Sequence, residues 1–382
     1  MLNKLTQIQR DRVREGKPVI SLVSGNPNDN GFLFPPEILR EEYEKYFKKQ
    51  EYHPDPKGLL EARQSICNFY SEQGFIFRPD EVLLTAGTSE SFFYLFSHLC
   101  RAGDNILVPN PAYPLFDEIA RLAKIELRHY ALDEKKGWGI DFDSLENQID
   151  AKTKAIVLIS PNNPTGAVAS TEEIQKLAEF ARRHNLAVIS DEVFSEFYFG
   201  SRKFPRALGV AEFPLLFTLN GISKMFALPA LKLGWIAVSG EKKRVDISVD
   251  ALEMISDTFL SVHTPIQKAL PAIFEKGTEF KRKYVQEVAI RRDFCFSLLQ
   301  KTPNFSISPP QGGFYLTVNI KTKKEQDEED FVVRLLEETG ILVHPGYFFD
   351  YESGVHIILS YLAPQKIFSG TIPKMIQFST AF

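Results

Sequence analysis

The chain has 382 residues, 44% of them hydrophobic and 25% charged, which allows a sizeable core and exceeds the usual length of one compact domain. Its 45 basic and 49 acidic side chains leave a net charge of −4, so no basic excess points to nucleic acid or to a membrane surface. Cys67, Cys100 and Cys295 stand far apart without a C-x-x-C spacing, and read as core thiols of a reducing compartment.

The opening segment, MLNKLTQIQRDRVREGK, has no apolar stretch of the kind a secretory leader carries. Apolar runs elsewhere are strand-length and fall far short of the ~20 residues that span a bilayer, so a cytoplasmic protein with no membrane partner is expected. Residues 1–45 read as polar and helical, with Pro-rich breaks at Asn26-Pro27 and Phe34-Pro35-Pro36. From there short apolar runs alternate with helical patterns. EVLLT at 81–85 leads to SESFFYLFSHLC at 89–100, where Phe92, Phe96 and Leu99 share a helix face. NILVP at 105–109 is followed by a helical stretch from about Leu115 to Ala123, and AIVLI at 155–159 by a polar loop. Ser170-Thr171-Glu172-Glu173 is a capping box, with Ile174, Leu177, Ala178 and Ala181 on one face of the helix it opens. LAVIS at 186–190, LLFTL at 215–219 and GWIAVS at 234–239 are further buried strands. Buried strands separated by helices predict an α/β unit with a mostly parallel sheet flanked by helices.

Beyond about residue 280 the pattern changes to a helix, GGFYLTV at 312–318, a charged stretch KKEQDEED, another helix and VHIILSYL at 355–362. This predicts a smaller α+β unit formed by both chain ends: 46–279 as the large domain, 1–45 with 280–382 as the small one. The acidic run at 325–330 reads as a solvated helix start, favoured by the helix dipole.

Several residues at predicted strand ends carry chemistry. Lys224 follows LLFTL in Asn220-Gly221-Ile222-Ser223-Lys224, and open α/β sheets place their sites at carboxyl strand ends. An amine there can condense with a cofactor aldehyde. Asp191 ends LAVIS, where it is either a helix cap or an anion for a protonated pyridine-type ring. Asn163, in Ser160-Pro161-Asn162-Asn163-Pro164-Thr165-Gly166, offers an amide beside a tight turn. Ala86-Gly87-Thr88-Ser89 joins a strand to a helix, where backbone N–H groups can meet an anion. Tyr113, in Pro109-Asn110-Pro111-Ala112-Tyr113-Pro114, is either a turn tyrosine or a ring that stacks on a flat ligand.

As an ordered set these motifs resemble the fold-type-I, class I/II pyridoxal-phosphate aminotransferases. The resemblance runs through GNP at 25–27, Tyr52, Gly58 and Arg63 in YHPDPKGLLEAR, AGTSES at 86–91, PNPAYP at 109–114 and SPNNPTG at 160–166. It continues through DEVF at 191–194, SK at 223–224, GGFY at 312–315 and HPGYFF at 344–349. It implies an aspartate-aminotransferase-like fold and an enzyme that moves an amino group from an amino acid or amine to a keto acid through a pyridoxamine form. Lys224 would hold pyridoxal phosphate as a Schiff base and move the substrate proton. Asp191 would pair with the ring nitrogen, Asn163 would bind the ring oxygen, and Tyr113 would stack on the ring. Thr88, Ser89, Ser223 and Lys232, beside Gly87, would hold the phosphate. Tyr52 would reach the phosphate of a second subunit, which implies a homodimer with shared sites. No metal is implied.

Three positions depart from that pattern. Lys232 stands where the resemblance calls for Arg, keeping the charge but not the bidentate fork. Phe194 stands where it calls for Tyr, which leaves Asn163 with more of the ring-oxygen contact. Ile358, in His356-Ile357-Ile358-Leu359-Ser360, stands where it calls for the Arg that clamps the substrate carboxylate. His356, the backbone near Gly25 and Asn163 are the candidates to replace that clamp; alternatively the substrate has no α-carboxylate. Glutamate, aspartate and alanine are then expected to react poorly. A lyase or decarboxylase on the same scaffold is the alternative chemistry, since fold alone does not choose. A ligand-sensing regulator would need a separate DNA-binding module.

Overall fold

The structure is a computed structural model that describes residues 3–322, 327–351 and 354–382. The described strands are β1 (Ile20–Ser21), β2 (Val82–Thr85), β3 (Asn105–Asn110), β4 (Glu126–Asp133), β5 (Gly139–Ile140), β6 (Thr153–Ile159) and β7 (Ala187–Asp191). They continue with β8 (Leu215–Gly221), β9 (Gly234–Gly240), β10 (Phe305–Ser306), β11 (Tyr315–Ile320), β12 (Ile341–Leu342), β13 (His344–Pro345) and β14 (Val355–Ser360). Eight form one sheet in the order β2-β9-β8-β7-β6-β3-β4-β5. Its core pairings, β8 with β7, β7 with β6, β6 with β3 and β3 with β4, are parallel; β9 and β5 pair antiparallel with their neighbours. The mostly parallel sheet expected from the apolar runs is therefore present.

Those runs form central strands because both sheet faces are covered. Successive side chains of a strand point to opposite faces. Ala155, Val157 and Ile159 of β6 join one core with Ile189, Phe217 and Leu219, while Ile156 and Leu158 join another with Val188 and Leu216. The first core is closed by Phe92 and Phe96 of the helix Thr88–Leu99, the second by Ile174, Leu177 and Ala181 of Thr171–Arg183. Parallel sheets require this double cover, because their connections lay helices on the faces.

The second sheet is antiparallel, in the order β10-β11-β14-β13, and packs with the helices Thr278–Leu299, Glu328–Thr339 and Gln365–Ala381 around a separate core. The N-terminal segment is laid against it. β1 pairs parallel with β12, Ile20 opposite Ile341, and Ser360 N–H donates to Leu22 O at 2.7 Å. This carries the chain past Gly25 into the junction between the two sheets. The expected boundary at 45/46 falls inside the helix Pro36–Lys49, whose Ile38 packs with Ala62, Ile66 and Ile273 beside the large sheet. Of the expected acidic helix start, residues 325 and 326 lie outside the described residues. Asp327 caps the helix Glu328–Thr339 through Glu329 N–H, and Glu328 to Asp330 fill its first turn. Among the described residues no helix is long and apolar enough to cross a membrane.

The capping box at Ser170 is formed. Glu173 N–H donates to Ser170 Oγ at 3.2 Å, and Ser170 N–H to Glu173 Oε2 at 2.8 Å. The other Glu173 oxygen accepts Ile140 N–H at 2.7 Å, so this cap also ties β5 to the helix. Ser170→Ala is expected to lower stability by about 1 kcal/mol, the usual cost of a lost N-cap. A fall in the urea midpoint at unchanged slope checks it; an unchanged midpoint contradicts it.

Candidate active site

Five of the same-facing strands end at one edge of the large sheet, and their following loops converge. β2 ends at Thr85 before Gly87, Thr88 and Ser89; β3 at Asn110 before Tyr113; β6 at Ile159 before Asn163; β7 at Asp191; and β8 at Gly221 before Ser223 and Lys224. All of these site residues, with Gly25 and Phe194, line one cavity of about 330 Å³. The chain scatters them widely along its length, and the parallel sheet brings them together.

Two ionisable groups dominate the cavity. Burial drives the Asp191 carboxyl up to about 7; the Val193 N–H, at 3.1 Å from Asp191 Oδ1, pulls the other way, and the neighbouring Glu192 charge adds to the rise. Among the described residues no side-chain cation pairs with it. Burial also brings the Lys224 amine down to about 8. It donates a hydrogen bond to Gly25 O, at 3.3 Å, and lies 5.9 Å from the Phe194 ring centre and 5.8 Å from that of Phe314. An amine and a carboxyl, each drawn toward its neutral form by burial, therefore share one chamber.

The remaining wall is polar in two places. Asn163 Oδ1 is buried with no hydrogen-bond partner among the described residues. At the far end Gly87 has φ 119°, in the region that favours glycine, and caps the helix Thr88–Leu99. A Cβ there would stand 3.5 Å from Lys232 Nζ, in the space between that amine and the helix start. The first N–H groups of a helix lack intrahelical partners and carry partial positive charge, so this end is suited to an anion. Tyr113 stands beside it, its phenol hydrogen-bonded with Ser89. An electrophilic aldehyde for Lys224, a cationic ring N–H for Asp191, a ring oxygen beside Asn163 and a phosphate at Gly87 to Ser89 are the features these residues fit. Pyridoxal phosphate carries all four. Among the described residues no cluster of three or more His, Cys, Asp or Glu is arranged to hold a metal.

Three expected residues sit elsewhere. Tyr52 is 60% exposed and does not line the cavity of its own chain. Ile358 is fully buried in β14, opposite Thr317 and His344, and does not reach the cavity wall. His356, expected as a substitute clamp, is turned to Glu134 at 3.4 Å and stacked on Tyr351 at 4.3 Å. Its strand register points it at the turn after β4 instead of the cavity. Lys232 is exposed at the rim beside Gly87. The motifs assign Tyr315 no role, yet it lines the cavity with its phenol against Gly25. GGFY is its only signal in the sequence.

Lys224 is the unprotonated nucleophile only above its own pKa, so its capture of added pyridoxal phosphate is expected to rise with pH through about 8 and then level off. An exposed lysine would continue to gain to above about pH 10. Stopped-flow absorbance on protein freed of cofactor measures this; a rate still climbing at about pH 10 contradicts the buried-amine geometry.

Residues 17–363 match the family model described as aminotransferase class I and II. A glutamate-pyruvate aminotransferase of Haemophilus influenzae is 30% identical over 370 residues, covering 95% of this chain and 91% of that one. The corresponding Escherichia coli protein is 31% identical over 347 residues, 88% of this chain and 84% of its own. Among solved structures, an alanine aminotransferase from Pyrococcus furiosus superposes with a TM-score of 0.92 at 27% identity, over 99% of this chain and 96% of that one. An aspartate aminotransferase from Thermotoga maritima gives 0.88 at 26% identity, over 99% and 97%. Model, relatives and fold agree with the cavity, and the chain belongs to the class I and II aminotransferases as a pyridoxal-phosphate-dependent transaminase.

Proposed function

We propose that this transaminase uses Lys224 as covalent anchor and proton carrier and Asp191 as partner of the cofactor ring nitrogen, and that it receives its donor without a guanidinium clamp. The observation that carries the reading is that Lys224 and Asp191 face one cavity, each without a side-chain counter-ion among the described residues. When bound, pyridoxal phosphate supplies a carbonyl that condenses with amines and a ring that accepts the electron pair of the breaking Cα–H bond.

The chain's own residues then have distinct tasks. Asp191 in its ionised form would pair with the protonated ring nitrogen, a contact that would lower the carboxyl's pKa from about 7 and keep the proton on the ring. Lys224 Nζ, largely neutral above about pH 8, takes the proton from the donor α-carbon and returns it later in the exchange. Asn163 holds the ring oxygen without help from residue 194, because Phe194 has no hydroxyl. Gly87, Thr88, Ser89, Ser223 and Lys232 hold the phosphate. Phe92, Phe194 and Tyr315 exclude water from the reacting atoms. Tyr52, exposed in a single chain, completes the site of a second subunit in a cytoplasmic homodimer; the three free cysteines fit that compartment. The large domain is read as starting with the whole helix Pro36–Lys49, ahead of the expected residue 46, and running to 279, with both chain ends in the small one.

The named relatives point to alanine, glutamate and pyruvate as the compounds exchanged. Among the described residues no arginine lines the cavity, and Lys224 is the only cation that does. A substrate carboxylate would therefore meet neutral donors, the Asn163 amide, the Tyr315 phenol and the backbone near Gly25. Each such bond to the charged acceptor contributes roughly 1.5–3 kcal/mol, but these donors bring no counter-charge and no two-point fork of the kind a guanidinium supplies. Single-turnover absorbance of the loaded protein with alanine and glutamate, set against the matching amines, tests this. A carboxyl advantage of at most about a hundredfold in single-turnover rate is expected, the size of one such bond, since about 1.4 kcal/mol is tenfold. An advantage above about a hundredfold would contradict an unclamped site.

A further inference from the structure

Directly after Asp191 the chain buries a second carboxylate. Glu192 is 1% exposed and does not line the cavity; its side chain lies on the other side of the strand end. There it pairs with Arg206, 4% exposed, and accepts from Ser190 Oγ at 3.3 Å and from the Ala207 backbone N–H. The Arg206 guanidinium donates to Gln73 Oε1 at 2.8 Å and to Glu196 Oε1 at 3.4 Å, and lies 5.5–5.8 Å from the rings of Phe69, Tyr70 and Phe204. Glu196 in turn binds Lys281 Nζ at 2.7 Å, on the long helix Thr278–Leu299. Two anions and two cations thus alternate from the residue behind Asp191 to the helix that leads into the second sheet. A separate bond, Asn220 Nδ2 to Ser195 Oγ at 3.1 Å, ties the loop after Asp191 to the strand before Lys224.

We propose that Arg206 is a positioning residue for transamination: by neutralising Glu192 it keeps the adjacent Asp191 able to ionise opposite the cofactor ring. This rests on the assignment of Asp191 made above. A buried anion next to a second buried carboxyl opposes its ionisation, and a counter-charge on the far side cancels that opposition. The direction of the Glu192 contribution at Asp191 agrees. The other groups facing Asp191 are Lys224 and Tyr113, with the neutral Asn163; those around Arg206 are Glu196, Tyr70 and, through Glu196, Lys281.

The test uses the full chain freed of cofactor and 4′-deoxypyridoxine phosphate, which lacks the aldehyde and cannot bond Lys224. Its dissociation constant is measured by fluorescence from about pH 5 to about 9, with circular dichroism confirming the fold. Loss of affinity toward acid marks protonation of Asp191, and Asp191→Asn should abolish that limb; a limb that survives in Asp191→Asn overturns the ring-nitrogen assignment itself. Given a limb that depends on Asp191, Glu192→Gln should move it down by roughly one pH unit. Adding Arg206→Met to Glu192→Gln should return it toward the wild-type position, because the pair is then removed as a neutral whole. A merely structural ion pair would show no such return. An unmoved limb in Glu192→Gln, or no return in the double variant, overturns the proposal. Should Glu192→Gln not fold, Glu196→Gln and Lys281→Met take its place at the outer end of the chain. Their limbs must bracket that of the wild type, the first below and the second above; coincident or reversed limbs overturn the proposal.

Discussion

The constraint on which the rest depends is the desolvation of two ionisable groups in one chamber. Removing a carboxylate and an ammonium from water is costly unless each finds a partner, and without one the group moves toward its neutral form. Asp191 and Lys224 are in that condition, one pushed up to about 7 and the other down to about 8. The structure holds them there by tying the backbone on either side. Val193 N–H fixes the Asp191 carboxylate, Gly25 O meets the amine, and Asn220 bridges to Ser195 between their loops. A cationic ring carrying an aldehyde would relieve both penalties at once, which supports the roles proposed for Asp191 and Lys224.

The sheet determines where that chamber can be. Parallel strands deliver their carboxyl ends to one edge, so loops from five strands meet without any being near the next in sequence. The second sheet closes the other side. β1 lies against β12, which brings Gly25 over Lys224, and Tyr315 at the start of β11 packs on Gly25. Glu134, in the turn after β4, crosses to the second sheet and accepts from Asn319 at 3.3 Å, beside His356. The chamber is therefore bounded by both parts of the molecule, and its donor must fit between Tyr315 and the Asp191 wall.

Much of this architecture is legible in the amino-acid sequence. Runs such as AIVLI and LLFTL are apolar at every position, or nearly so, because both sheet faces are buried, and that continuity identifies a parallel core strand. The strand-end residues are legible because their positions follow from strand direction alone. β4 carries no such mark, since Glu126, Arg128 and His129 leave it polar and partly exposed toward the sheet margin. β1 has two residues and exists only through pairing with β12, more than 300 positions away. The same holds for His356: only the fold reveals Glu134 as its neighbour. Arg206, in a stretch reading SRKFPRALG, looks like a surface residue, and nothing local shows that Glu192 awaits it.

The central claim is that one amine in this chain, Lys224, carries the cofactor. It is tested most directly by reducing the loaded protein with borohydride, digesting it and mapping the modified lysine by mass spectrometry. The account predicts a single labelled position, Lys224, with Lys232 at the cavity rim unlabelled. Label on another lysine, or none anywhere, would contradict it.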